Sequence, residues 1–141
     1  MTFDPLRSFP GYALRRASNA AMSGLTHKLS GFGLRVTEAT ILIAILKNPR
    51  ITQSEIGRML GIASANVAPL IGRLDNRDLI ERIPVDGRSH GLTLTPAGQE
   101  LSDDVFNVIK SHEDTLMKHI PTELQDDFIN ILNNLWESES D

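Results

Sequence analysis

The spacing of apolar residues changes from a helical period to an alternating one in the middle of the chain, and this change constrains the fold more than any other feature. Two short amphipathic segments come first, 52–60 and 64–78, each with its apolar residues on one helical face. The next segment, 79–85, is rich in β-forming residues, and Asp86-Gly87 favours a hairpin turn. The sequence therefore predicts two short helices followed by a two-stranded hairpin.

Local signals mark the ends of these helices and the side that faces the core. Thr52 and Glu55 have the T-x-x-E spacing of a capping box, and Gly61 suits the C-terminal end of the first helix. Ala63 holds the usual cap position of the second helix without a side-chain acceptor, so Ser64 is expected to cap it instead. The residues predicted to face the core are Ile56, Met59, Leu60, Val67, Leu70, Ile71 and Leu74.

Further helices are predicted on both sides of this region. Residues 11–29 form an Ala-rich segment without proline, and a second helix is expected to be capped by Thr37. Thr95-Pro96 suits the start of a long helix of about 23 residues. Pro121 separates that helix from a last one. The predicted fold class is thus mainly α with a small β-hairpin.

The charge is distributed unevenly along the chain. The net charge of −4 divides into +4 over residues 1–49, +1 over 50–94 and −9 over 95–141. An acidic C-terminal third can face away from an anionic partner. No apolar run approaches the roughly 18 residues that span a bilayer, and the first ten residues do not resemble a signal peptide. Because there is no cysteine, disulfides and thiolate metal sites are excluded. We expect a cytoplasmic protein with no membrane partner.

The order of the predicted elements is that of a winged helix-turn-helix. In this arrangement the second short helix enters the major groove of DNA, and the hairpin, or wing, reaches along the backbone or into the minor groove. We expect residues 37–94 to form the DNA-binding region. Residues 1–36 and 95–141 are expected to form a helical dimerisation region within one compact domain.

The side chains of the predicted recognition helix suit contacts with double-stranded DNA. Asn66 can bind adenine through two hydrogen bonds, and alanine methyl groups can touch a thymine methyl. Arg73 suits a phosphate, or alternatively an ion pair with Asp75 or Asp78. The other polar positions have the alternative interpretation of caps and solvated residues. The predicted DNA-binding residues of the two helices are Thr52, Arg58, Ser64, Ala65, Asn66, Ala68 and Arg73.

The predicted wing supplies a second group of DNA contacts. A guanidinium such as that of Arg88 suits the negative potential of a narrow minor groove. Asp86 can hold this guanidinium by a charge-assisted hydrogen bond. The alternative interpretation is a solvated turn. The predicted DNA-binding residues of the wing are Asp86, Arg88 and Ser89.

The run from Thr52 to Gly98 resembles the MarR family of bacterial regulators. The motifs that carry the resemblance are Gln53-Ser54-Glu55-Ile56, Arg73-Leu74, Leu79-Ile80-Glu81-Arg82, Asp86-x-Arg88 and Leu94-Thr95-Pro96-x-Gly98. The resemblance implies a winged-helix homodimer with a small-molecule pocket between its dimerisation and DNA-binding parts, and it makes Asp86 and Arg88 the wing pair. Pro69 is a departure, because it removes a hydrogen bond inside the recognition helix and is expected to bend it. The absence of cysteine excludes thiol-based peroxide sensing, so an effector ligand is expected.

The first helix offers candidates for an effector pocket. They are Tyr12, Arg16, Asn19 and His27. Arg16 would pair with an anionic effector, and the resemblance suggests an aromatic carboxylate or a phenolic compound. Helix–helix packing is the alternative and favoured interpretation of these four residues. His112 and His119 lack the i, i+4 spacing of a zinc pair, so no metal and no cofactor are expected.

Two functions of different classes follow from these features. The first is a DNA-binding transcriptional regulator that represses adjacent genes from a pseudo-palindromic operator and is released by a small-molecule effector. The alternative is a winged-helix protein-interaction module without specific DNA binding. Six arginines within residues 50–94 argue against this module, whereas five acidic residues there keep it open. An enzyme is not expected, because no nucleophile–base pair or phosphate loop occurs.

Overall fold

The computed structural model describes residues 1–139, so the last two residues of the predicted dimerisation region lie outside the described chain. Two compact units are formed by residues 1–108 and by the segment from residue 109 onward. The elements are α1 (Pro10–Ser30), α2 (Val36–Lys47), β1 (Ile51–Thr52), α3 (Gln53–Leu60), α4 (Ser64–Asn76), β2 (Ile80–Pro84), β3 (His90–Leu94), α5 (Pro96–Met117), a 3₁₀ turn (Thr122–Leu124) and α6 (Gln125–Glu139). The predicted class, mainly α with a small antiparallel sheet, is confirmed.

The sheet has three strands, whereas the sequence indicated two. β3 is the central strand, with β2 on one side and β1 on the other, and both pairs are antiparallel. β1 places Ile51 opposite Leu92. Arg50, at a φ of 75°, leads into it and donates its N–H to the Leu92 carbonyl at 2.9 Å. A strand of two residues is too short to show an alternation of apolar and polar residues. β1 could therefore not be predicted from the sequence, and it is defined by its pairing with β3.

The start of α3 has the predicted capping box, but one predicted core residue of this helix is exposed. The Thr52 hydroxyl accepts a hydrogen bond from the Glu55 N–H at 3.2 Å, and the Glu55 carboxylate accepts one from the Thr52 N–H at 3.1 Å. Gly61 ends the helix at a φ of 66°. Met59 is 51% exposed, so its predicted burial is wrong. The buried face is centred on Ile56 and Gly57, and at about 100° per residue Met59 lies well outside it.

The start of α2 differs from the prediction. The helix begins at Val36 with Arg35 as the N-cap residue, so Thr37 is not the cap. The carboxylate of Glu38 takes this role by accepting the Arg35 N–H at 2.8 Å. Since α2 lies in the middle of the core, half of its twelve side chains are buried, including Ile41, Leu42 and Ile45.

The second short helix, α4, runs without a break through Pro69. Its N-cap residue is Ala63, with no side-chain hydrogen bond, so the predicted capping by Ser64 is wrong. Ser64 is already the first helical residue, and its hydroxyl therefore stays available to a partner. Val67, Ile71 and Leu74 are buried as predicted, and Leu70 is half-buried.

The junction between the wing and α5 explains the Thr95-Pro96-x-Gly98 motif. The Thr95 hydroxyl donates to the Asp78 carbonyl at 2.6 Å and accepts the Gly98 N–H at 3.0 Å, which caps α5. A Cβ atom on Gly98 would collide with the Leu79 carbonyl. Only glycine therefore lets the first turn of α5 pack against the chain that leads into β2.

Each unit leaves large apolar side chains exposed. In the first unit they include Phe9, Leu14 and Met22 on or just before α1, and in the second they include Ile131, Leu135 and Trp136 on α6. Both helices are amphipathic, and exposed apolar patches of this kind mark interaction sites. Within residues 1–139, no helix is both long and apolar enough to cross a membrane.

Candidate nucleic-acid interface

The first turns of α4 present the residues predicted to read bases. Ser64, Ala65, Asn66 and Ala68 are all exposed. Within residues 1–139 the side-chain amide of Asn66 makes no hydrogen bond, so its donor and its acceptor are both open. Ala63 gives the helix no side-chain cap, and although the Asn66 N–H donates to the Ala63 carbonyl at 2.8 Å, the N–H groups of Ser64 and Ala65 are open within residues 1–139. This surface can offer hydrogen bonds to base edges and to phosphate oxygens.

The wing ends in a loop, 85–89, that is stiffened by its own carboxylate. Asp86 Oδ1 accepts the N–H groups of Arg88 and Ser89 at 2.9 and 2.8 Å. These two hydrogen bonds lower the pKa of Asp86. The carboxylate thus binds the main chain instead of the predicted guanidinium, because a short aspartate side chain reaches the two N–H groups that follow it. The guanidinium of Arg88 is exposed on a loop whose backbone is held.

A polar cleft of about 410 Å³ lies between the start of α3 and the wing. It brings together three of the predicted DNA-binding residues, Thr52, Arg88 and Ser89, and adds others that were not predicted to bind DNA. The additional polar residues are Gln53, Ser54, Arg82 and His90. The alternation of side chains along the two wing strands was the sequence signal that could have identified Arg82 and His90, because it places every second side chain on one face. The Thr52 hydroxyl is already used in the cap, where it also donates to Glu55 at 2.9 Å.

Arg73 forms an ion pair with an acid that the sequence analysis did not consider. Its Nε–H donates to Glu38 Oε2 at 2.7 Å, whereas Asp75 and Asp78 are not its partners. The Arg73 side chain is 49% exposed and Glu38 is only 3% exposed. Burial alone would raise the pKa of Glu38, but the Arg35 N–H and the Arg73 guanidinium outweigh it and hold that pKa below its ordinary value. Thirty-five positions separate the two residues, so no local pattern could reveal the pair.

Arg58 is exposed on α3 but does not line the wing cleft. It lines a second surface depression together with Arg50 and Met59. The Thr52 hydrogen bonds lower the pKa of Glu55, and the nearby Arg58 guanidinium adds to that effect. Arg50 donates from Nη2 to the Pro84 carbonyl at 3.5 Å. The structure therefore keeps Arg58 and Arg88 on different parts of the same winged unit.

The effector candidates on α1 are only partly brought together. Tyr12 and Arg16 line an open cleft of about 380 Å³ with Asp4 and Arg7, whereas Asn19 and His27 do not line it. Arg7 was not singled out from the sequence, because its position before α1 follows only from how residues 1–9 fold. Within residues 1–139, no cluster of three or more histidine or acidic side chains could hold a metal ion.

Two short helices, an exposed first turn on the second of them and an arginine-tipped hairpin define a winged helix-turn-helix protein. A family model described as the MarR family matches residues 32–89, which include α3, α4 and most of the wing. This part of the chain is therefore similar to the MarR family, and the whole chain is similar in structure to winged-helix transcriptional regulators. No curated protein matches the sequence significantly.

Solved structures of regulators share the fold over nearly the whole chain. The transcriptional repressor CouR, bound to a 23-mer DNA duplex, is 28% identical with a TM-score of 0.85, over 96% of this chain and 97% of that chain. CouR bound to p-coumaroyl-CoA is 25% identical with a TM-score of 0.83, over 96% of both chains. PcaV from Streptomyces coelicolor, in complex with its natural ligand, is 21% identical with a TM-score of 0.83, over 99% of both chains, and this match shows the fold alone.

Proposed function

We propose that this protein is a cytoplasmic homodimeric repressor that binds a pseudo-palindromic operator through α4 and the wing. The observation that carries the proposal is the joint exposure of the first turn of α4 and the arginine-lined wing cleft on one compact unit. Ser64, Ala65, Asn66 and Ala68 would contact bases, and Arg58, Arg73 and Arg88 would contact phosphates or the minor groove. The match to CouR, whose structure contains a DNA duplex, supports this role.

A second copy of the chain would supply the symmetry that operator binding needs. A two-fold dimer places its two recognition helices about one helical turn of DNA apart. The exposed apolar side chains of α1 and of α6 are surfaces for such a copy to cover. Residues 1–49 carry +4 and residues 95–141 carry −9, so unlike charges can attract across the dimer. We infer a binding protein and not an enzyme, in line with the MarR family whose model matches residues 32–89.

The proposed effector site is the cleft lined by Tyr12 and Arg16. The guanidinium of Arg16 can pair with an anionic group, and the half-buried ring of Tyr12 can pack on an aromatic one. The complex of CouR with p-coumaroyl-CoA, an aromatic acyl thioester that carries phosphates, supports an effector of this chemistry. Binding to a conformation with a different spacing of the recognition helices would shift the population away from DNA.

The first experiment is fluorescence anisotropy with the DNA upstream of the protein's own gene and with a scrambled duplex, over a series of salt concentrations. A specific repressor is expected to prefer the native duplex by about 10³-fold or more, with affinity that falls steeply with salt. Arg88→Ala should weaken binding, whereas Lys118→Ala, an exposed cation of the second unit, should not. Equal and weak binding to both duplexes would contradict the proposal and favour the protein-interaction module.

The effector is tested on the same complex. Aromatic carboxylates and aromatic acyl-CoA thioesters are titrated into the protein–DNA complex, and one of them is expected to lower the anisotropy to that of free DNA. Arg16→Ala should keep the affinity for DNA and lose the response to that compound. A response that survives in Arg16→Ala would show that the effector binds elsewhere.

A further inference from the structure

The recognition helix is attached to the corner between α1 and α2 by two arginines one turn apart. Arg77 donates from Nη1 to the Gly33 carbonyl at 3.1 Å and from Nη2 to the Phe32 carbonyl at 3.2 Å. Arg73 donates from Nε to Glu38. Positions i and i+4 share one helical face, so both side chains reach the segment 32–38. Within residues 1–139, Arg73 is held by a charged group and Arg77 by two carbonyl groups.

Glu38 uses its two oxygens for two different tasks. Oε1 accepts the Arg35 N–H and caps α2, whereas Oε2 accepts the Nε–H of Arg73. A carboxylate offers acceptors at both atoms, but a glutamine of the same length replaces one of them with a donor. Because the two bonds go to different oxygens, a glutamine at position 38 that keeps this geometry loses either the cap or the guanidinium.

The ion pair leaves the two terminal nitrogens of Arg73 open. Only its Nε–H is used within residues 1–139, and the side chain is half exposed, so the four N–H groups on the terminal nitrogens can bind a partner. Seven residues are nearly two helical turns, so Arg73 lies on the same side of α4 as Asn66. A guanidinium held at Nε presents its remaining donors as a fixed fork, which matches the geometry of a phosphate.

We propose that Glu38 is a positioning residue for DNA binding: it holds the Arg73 guanidinium so that its terminal N–H groups take one DNA phosphate. The inference rests on the proposed function, because it needs the operator to lie along α4. A free arginine side chain has many rotamers, and fixing one of them before the DNA arrives removes an entropic cost of binding. Glu38 touches no DNA itself and acts only through Arg73.

The test is a double-mutant cycle on the affinity for the preferred duplex. Glu38→Gln and Arg73→Gln are each expected to weaken binding by about tenfold and to lower the salt slope by about one phosphate. In the Arg73→Gln background, Glu38→Gln should then cost less than about twofold, because its route to DNA is already lost. A tenfold loss in both backgrounds would show that Glu38 acts by capping α2 and would overturn the inference.

Two further variants keep the outcome clear. Glu100→Gln removes one exposed negative charge from α5 and should leave the affinity unchanged, which separates positioning from net charge. Arg73→Lys supplies a single point charge in place of a fork, and it should bind clearly more weakly than the wild type. Arg73→Lys with wild-type affinity would overturn the inference even where Glu38→Gln fails to fold.

Failure of this inference differs from failure of the proposed function. If the wild type shows no preference for its duplex, the repressor proposal and this inference fall together. If the wild type binds specifically and Arg88→Ala weakens it, while Glu38→Gln binds as the wild type does, only the role of Glu38 is contradicted.

Discussion

Glu38 and Glu55 occupy the same position in two neighbouring helices and have different surroundings. Each is the third residue of its helix, and each carboxylate accepts the N–H of its N-cap residue, at 2.8 Å for Arg35 and 3.1 Å for Thr52. Glu55 is exposed, and its hydrogen-bond partner is local. Glu38 is buried and also pairs with Arg73 on α4. The same capping geometry is thus a local feature in α3 and a link between distant helices in α2.

The start of α5 has a glycine, Gly98, where α2 and α3 have a glutamate. Substitution of this glycine is expected to lower stability more than any other change considered below. Gly98, the third residue of α5, lies against the Leu79 carbonyl with no space for a Cβ atom. Gly98→Ala should lower the free energy of unfolding by about 3 kcal/mol, because the backbone must move. Urea unfolding measures this loss. Gly72→Ala is the matched control, since its Cβ would meet nothing within 4 Å, and an equal loss there would contradict the packing argument.

Alanine substitution of Glu38 and of Glu55 compares how much each carboxylate contributes to stability. Glu38→Ala should destabilise the fold by about 2 kcal/mol, because it leaves the Arg35 N–H and the Arg73 guanidinium without their buried acceptor. The half exposure of Arg73 keeps the loss below that of a fully buried pair. Glu55→Ala removes only a solvent-exposed cap and should cost clearly less. Thermal unfolding of the two variants side by side measures the difference, and equal losses would remove the distinction drawn between them.

The pH dependence of stability sharpens the same comparison. The pKa of Glu38 in the folded state lies below its ordinary value of 4.5, so the unfolded chain takes up the proton first as the pH falls. The stabilisation is complete above about pH 4.5 and is lost as the pH falls through the folded-state pKa. In urea titrations between pH 7 and pH 3, the stability difference between the wild type and Glu38→Gln should therefore narrow in the acid range. A constant difference would contradict the pKa shift.

The smallest effect is expected at the other buried polar side chain of the core. Ser102 is fully buried, and its hydroxyl has no hydrogen-bond partner within the described residues. Ser102→Ala removes an unsatisfied group without leaving a partner behind, so stability should stay within about 1 kcal/mol of the wild type or rise. Calorimetry of this variant beside Glu38→Ala would show whether buried polar groups matter here through their partners. A large loss would mean that the hydroxyl has a partner in solution, such as a bound water.

The features that could be predicted from the sequence are those whose partners lie within a few residues. The capping box of Thr52 and Glu55, the stop at Gly61 and the buried row of Val67, Ile71 and Leu74 are all local, and the structure confirms them. The prediction failed for Thr37 and Met59 because whether a residue caps or is buried depends on what packs against it. Burial of Met59 was inferred from a helical period that an eight-residue helix barely covers.

The sequence predicted several residues of the candidate site correctly as exposed, but it did not predict which of them lie together. Ser64, Asn66 and Arg88 are exposed where the sequence placed them, and their contact with DNA remains a prediction. The wing cleft is also lined by Arg82 and His90, which were not among the predicted DNA-binding residues and come together only through strand pairing. The two oxygens of Glu38 are shared between positions 35 and 73, and no spacing in the sequence connects those two positions.

The sequence by itself determined the order of the helices and of the two wing strands, the caps at Thr52 and Thr95 and the uneven charge, because each depends on neighbours along the chain. Only the tertiary structure decided that a two-residue strand completes the sheet and that Arg73 pairs with Glu38. The physical reason is burial. A carboxylate removed from water must find its partners among whatever the fold brings near it, and in α2 that partner comes from the recognition helix.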